Sequence, residues 1–111
     1  EGIARRRKVE VAARILNRDA PATCDSKVVA ALERAAADAG LRTLSLVSRA
    51  YHDALFMARV APMGMLFVPC RNGWSHRPDE FADPADVRDG VRVLARTLRA
   101  LAGPQAEHEE L

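Results

Sequence analysis

The sequence predicts an α/β fold, and three observations carry that expectation. Residues 9–16 and 41–47 alternate apolar with polar side chains, the period of a strand with one covered face. Residues 26–39 and 84–103 instead repeat apolar side chains every three to four positions, the period of an amphipathic helix. Met65-Leu66-Phe67-Val68 is a short continuous apolar run, the pattern of a strand covered on both faces. From residue 41 to residue 68 the chain has the length of a right-handed βαβ unit.

The elements follow in order. The first predicted strand, residues 9–16, carries Val9, Val11, Ala13 and Ile15 on alternating positions. A connection over residues 17–23 contains the turn residues Asn17, Asp19 and Pro21, and Pro21 restricts Ala20 to extended geometry. Asp25 or Ser26 then stands where an N-cap belongs, Val28, Val29, Leu32, Ala35 and Ala36 follow at helical spacing, and Gly40 is suited to end the helix. After the strand at 41–47, residues 49–59 read as a helix with Ala50, Ala54, Leu55 and Ala58 on one side, broken by Pro62 and Gly64. The Met65 to Val68 run leads into a long connection over residues 69–84, a length that in compact domains goes with function or mobility. Asp83 caps a last helix with Pro84 in its first turn, and Val87, Val91, Leu94, Leu98 and Leu101 form its apolar side. Residues 105–111 read as an acidic, frayed tail.

Composition narrows the function. The 111 residues are 49% apolar, enough for a core, and their 17 basic and 15 acidic side chains leave a net charge of only +2. That balance argues against a nucleic-acid or membrane-surface binder. Arg5-Arg6-Arg7-Lys8 lacks an aromatic platform and reads as a solvated helix end. No apolar run approaches the roughly 20 residues of a membrane span. Cys24 and Cys70 stand apart and outside any Cys-x-x-Cys pair, so free, buried thiols and a reducing, cytoplasmic setting are expected. Met57, Met63 and Met65 read as core fillers. The first residue is Glu1 rather than Met, which reads as a piece of a longer chain or a trimmed start.

Chemistry centres on two of the three histidines. His108 lies in the acidic tail and reads as solvated and idle. His52 and Asp53 open the helix predicted after the second strand, where free N–H groups favour anions; equally, Asp53 there offsets the helix dipole and His52 caps or packs. His76 lies in the long connection, within Cys70-Arg71-Asn72-Gly73-Trp74-Ser75-His76-Arg77-Pro78-Asp79-Glu80. The carboxyl ends of parallel strands are where open α/β sheets place ligands. A lone imidazole is a weak metal signal, because zinc needs three or four ligands. Arg71 is suited either to a substrate carboxylate or to a structural ion pair.

Three segments together carry a resemblance. They are Ser48-Arg49-Ala50-Tyr51-His52-Asp53-Ala54, Ala61-Pro62-Met63-Gly64-Met65-Leu66-Phe67-Val68-Pro69-Cys70-Arg71, and Gly73-Trp74-Ser75-His76-Arg77-Pro78-Asp79-Glu80. In order and spacing they resemble the closing third of the M20-type metal amidohydrolases, in the branch of N-carbamoyl-L-amino-acid hydrolases, allantoate amidohydrolases and β-ureidopropionases. The similarity runs from about residue 48 to residue 101, and residues 9–25 resemble the return from that group's inserted lid domain.

The resemblance implies a partial three-layer sheet with flanking helices, like the C-terminal part of a zinc-hydrolase catalytic domain. It divides the chain into a lid-like return at 1–25, a catalytic-like α/β part at 26–103 and a tail at 104–111. It implies two divalent metals (zinc, manganese or cobalt), whose bridging water attacks a carbamoyl or ureido carbon with help from a carboxylate base. By the same resemblance His76 is a metal ligand, Asp79 and Glu80 support its loop, and Ser48, His52, Asp53 and Arg71 face a small-molecule carbamoyl or ureido substrate. The family's remaining metal ligands and its base match nothing in this sequence, so the chain is expected to be a fragment or remnant, inactive alone and binding no metal tightly. Arg49 and Tyr51 stand where the family has glycines, with the expectation that they narrow the pocket or shift the loop. Those two residues also favour the alternative of a small noncatalytic α/β assembly module. A chain with these apolar faces is expected to pair with the missing upstream part or to self-associate through residues 9–16.

Overall fold

A computed structural model describes residues 2–103. Helix α2 (Ser26–Ala37) starts at Asp25, whose Oδ1 accepts from the backbone N–H of Lys27 at 2.8 Å and of Val28 at 3.1 Å. Those are two of the donors that no carbonyl inside a helix can satisfy. Gly40, at φ +73°, carries the turn that closes this helix. Helix α4 (Pro84–Ala102) repeats the device: Asp83 caps it, Pro84 needs no hydrogen bond at that position, and Gly103 follows its end at φ +73°. Among the described residues two shorter helices complete the helical content, α1 (Gly2–Arg7) and α3 (Ala54–Met57), with a 3-10 turn at Arg71–Gly73. Arg5, Arg6 and Arg7 of the basic run fall in the last turn of α1, where cations oppose the negative end of the helix dipole.

Helices α2 and α4 pack together. Ala35 and Ala36 of α2 meet Val93 of α4, with Leu32 and Leu41 at the margin. Small side chains on α2 allow the close approach, and Thr97 is buried beside them with its hydroxyl donating to the Val93 carbonyl at 2.8 Å. Gly64 lies against α2, so close that a Cβ there would sit 2.6 Å from Val28 Cγ1, and the Met63 carbonyl accepts from the Asp25 N–H at 2.7 Å. Gly90 gives α4 the same closeness to Val68.

The expected sheet is absent: among the described residues no strand forms, and the α/β, three-layer expectation is corrected to helices joined by irregular chain. Alternation records a face, whereas a strand exists through ladder hydrogen bonds to a neighbour. Residues 9–16, 41–47 and 65–68 make none with one another among the described residues. Their apolar side chains stay in water, with Leu44 83% and Val47 84% exposed. The helix expected over 49–59 shrinks to α3, and ahead of it the Ala50 N–H turns to the Ser48 hydroxyl at 3.4 Å.

Burial also differs from the expectation on α4. Val87, Val91, Leu94, Leu98 and Leu101 are exposed, and the adjoining side with Val93 and Thr97 is buried. Cys24 is exposed and Cys70 half-buried rather than both buried, each with a free thiol. Met57 is exposed as well. The radius of gyration is 20.1 Å, where a compact chain of 100 residues has about 13 Å. The acidic tail and His108 lie outside the described residues.

Candidate functional site

Two loops bring the site together. The first, ahead of α3, holds Ser48 and His52 in contact: Ser48 Oγ and His52 Nε2 are 2.7 Å apart. The Ala50 N–H donates to the same oxygen at 3.4 Å, which leaves the hydroxyl proton available to His52. The His52 carbonyl accepts the Leu55 N–H at 2.9 Å and so ties the ring's backbone to the start of α3. Asp53 occupies the N-cap of α3, but its side chain makes no capping bond. His52 meets Phe67 edge-to-face with ring centroids 5.8 Å apart.

The second loop runs from Cys70 to Phe81 and is closed at its base. The Arg71 N–H donates to the Phe81 carbonyl at 2.8 Å, and the Arg71 guanidinium lies over the Phe81 ring at 4.5 Å. Inside it, Asn72, Gly73 and His76 adopt left-handed backbone, with His76 at φ 58°. Glu80 holds that conformation, its Oε2 accepting the His76 N–H at 2.9 Å. Arg77 makes a two-point pair with Asp79, Nε to Oδ1 at 2.8 Å and Nη2 to Oδ2 at 2.9 Å, while stacking on Trp74 at 4.1 Å. The result presents His76 to His52, ring centroids 5.8 Å apart and nearly perpendicular.

The arrangement therefore joins Ser48, His52 and His76, with Asp79 and Glu80 bracing the loop of His76. Arg71 is engaged with Phe81 and lines a separate small recess beside Asp83 and Asp86. A wide recess of about 1020 Å³, lined by Ser48, Tyr51, His52 and Phe67 among others, opens beside the first loop.

Sequence reasoning missed Asp19 and Arg59. Tyr51 donates its hydroxyl to Asp19 Oδ2 at 3.2 Å, and Arg59 Nη2 donates to Asp19 Oδ1 at 2.8 Å. The Arg59 guanidinium, aided by the Tyr51 hydroxyl and opposed by partial burial, holds the Asp19 carboxyl below its ordinary range. The contacts span 32 and 40 residues, and no local spacing announces them.

A metal centre does not assemble from these groups alone. Among the described residues no set of three or more His, Cys, Asp or Glu side chains converges to hold an ion. Among the described residues the two-metal site that the resemblance implies is therefore incomplete.

Comparison with known proteins decides the family. A sequence profile for "Peptidase family M20/M25/M40" matches residues 6–100. The chain belongs to this family. Its M20 relatives include a ureidoglycolate hydrolase of Arabidopsis thaliana, 46% identical over 101 residues, covering 90% of this chain and 21% of the relative. An N-carbamoyl-L-amino acid amidohydrolase of Geobacillus stearothermophilus is 37% identical over 102 residues, covering 92% of this chain and 25% of the relative. The crystal structure of AtUAH in complex with (S)-hydroxyglycine superposes with a TM-score of 0.78 at 46% identity, over 91% of this chain and 24% of that one.

This M20 chain thus spans about a fifth to a quarter of the curated relatives' length. The relatives are hydrolases named for ureido and carbamoyl substrates, as the three sequence segments lead one to expect. Among the described residues no helix is long and apolar enough to cross a membrane.

Proposed function

We propose that the chain is the C-terminal part of an M20 amidohydrolase that cleaves the ureido C–N bond of a ureidoglycolate-type substrate. The observation that supports this best is the meeting of His52 and His76, 24 residues apart in sequence, with ring centroids 5.8 Å apart. The bond to Ser48 orients His52 and leaves its other ring nitrogen to a substrate oxygen or carboxylate. His76 supplies one imidazole to a divalent metal (zinc, manganese or cobalt) whose other ligands come from a separate segment. Such a metal, when bound, would polarise the ureido group and activate water. Asp79 and Glu80 hold the loop of His76, and Asp53 and Arg71 are the further candidates for contact with substrate.

The similarity to ureidoglycolate hydrolase favours a substrate with a hydroxyl and a carboxylate on the carbon bearing the ureido group. Hydrolysis with one water then releases ammonia and carbon dioxide and leaves hydroxyglycine, the molecule bound in the similar AtUAH structure. Among the described residues no metal cage assembles, and taken alone the chain is inactive in this reading.

The test is a chimera in which this chain replaces the matching segment of the Arabidopsis enzyme. Ammonia release from ureidoglycolate, lost on His52→Ala, is the expected result. A folded but inactive chimera would favour the second reading, a noncatalytic assembly module, to which Arg49 and Tyr51 at the family's glycine positions point. Turnover by the 111-residue chain alone, with added zinc, manganese or cobalt, would overturn the fragment reading.

A further inference from the structure

We propose that Asp19 is the positioning residue of the His52 loop, acting through Tyr51 and Arg59 rather than on substrate. The inference rests on the reading of His52 as a substrate-facing group. Asp19 lies in the connection before α2, and its side chain is only 17% exposed. One of its oxygens takes the Tyr51 hydroxyl at 3.2 Å, and the other takes Arg59 Nη2 at 2.8 Å. Tyr51 immediately precedes His52, and Arg59 follows α3, which begins on the His52 carbonyl. A single carboxylate thereby grips both ends of the segment that carries His52, Asp53 and α3.

Tyr51 and His52 are backbone neighbours with separate destinations. Tyr51 goes to Asp19, and His52 goes to Ser48, Phe67 and His76. Arg59 is steadied in turn by its position over the Phe56 ring at 5.2 Å. A charged acceptor strengthens both hydrogen bonds, so the anchor depends on the carboxylate and not merely on a side chain of that size. This also gives a bulky residue a task at a position where the resembling family has glycine. The Tyr51 hydroxyl is used as a tether to a distant segment.

The experiment is nuclear magnetic resonance on the 111-residue chain with labelled histidine and phenylalanine. It reads the cross-peaks of the His52 ring with Phe67 and His76 and the Nε2 shift of His52. Asp19→Ala is expected to reduce those cross-peaks at least about twofold, with a smaller loss in Asp19→Asn, while the amide signals of α2 and α4 stay in place. Tyr51→Phe removes only one hydroxyl and is expected to move the His52 signals in the same direction; it decides the matter should Asp19→Ala unfold. Unchanged His52 signals in a folded Asp19→Ala or in Tyr51→Phe would overturn the proposal. The readout involves no hydrolysis, so the two failures are told apart: an inactive chimera counts against the hydrolase reading without moving the His52 signals, and a His52 ring indifferent to Asp19 leaves the hydrolase reading standing.

Discussion

Ser48 Oγ lies 2.7 Å from Nε2 of His52, and a five-residue stretch of one loop thereby fixes the direction of an imidazole. A net contribution of about 0.5–1.5 kcal/mol is typical of one such bond. In the chimera with the Arabidopsis enzyme, Ser48→Ala should therefore lower kcat/KM by about 2- to 10-fold, and Ser48→Thr should retain most of it. Steady-state ammonia release measures both.

The Asp19 carboxyl titrates below its ordinary value of 3.8 because the Arg59 guanidinium stabilises the charged form. With the folded value lower than the unfolded one, the carboxylate's contribution to stability is full above about pH 4. It is lost as pH falls through the folded value. Carbon-detected titration of Asp19 should give a midpoint under 3.8, and Arg59→Gln should raise that midpoint.

Gly64 is held by space. An added Cβ would stand 2.6 Å from Val28 Cγ1, and a β-branched side chain within a helix has little freedom to swing away. Gly64→Ala should destabilise the chain by about 1–3 kcal/mol, read as a lower denaturation midpoint.

Metal titration of the isolated chain should show no tight site. Among the described residues two imidazoles meet without a third ligand, too few for strong zinc binding. A competing chelator at about micromolar affinity should strip added zinc completely, and stoichiometric retention by the chain would contradict the site described above.

Exposed large apolar side chains predict self-association of the isolated chain. Ile15, Leu16, Leu44, Leu46 and Val47 all lie more than half in water. Sedimentation at rising concentration should show species heavier than a monomer, and a clean monomer throughout would count against it.

Helices α2 and α4 are legible in the sequence because their signals are local. Asp25 and Asp83-Pro84 start them, and Gly40 and Gly103 lie where they stop. Which side of α4 turns inward is not local: the five aliphatics from Val87 to Leu101 and the pair Val93 and Thr97 are both periodic, and contact with α2 selects the second. The alternating segments reveal a facing pattern, yet a ladder needs a neighbour that the pattern cannot supply. His52 and His76 were linked by resemblance to a family, not by their separation. Asp19, read from sequence as a turn residue, gains its part only from the distant Tyr51 and Arg59.

The left-handed backbone at His76 narrows the alphabet at that position. Asparagine, aspartate and glycine share the conformation readily, whereas valine or isoleucine would distort the turn while also deleting the ring. Asparagine is accordingly the substitution that separates shape from chemistry here: it takes away the imidazole and spares the bend. Mutational drift at this codon should follow the same divide, with ring loss tolerated structurally only through those small or polar replacements.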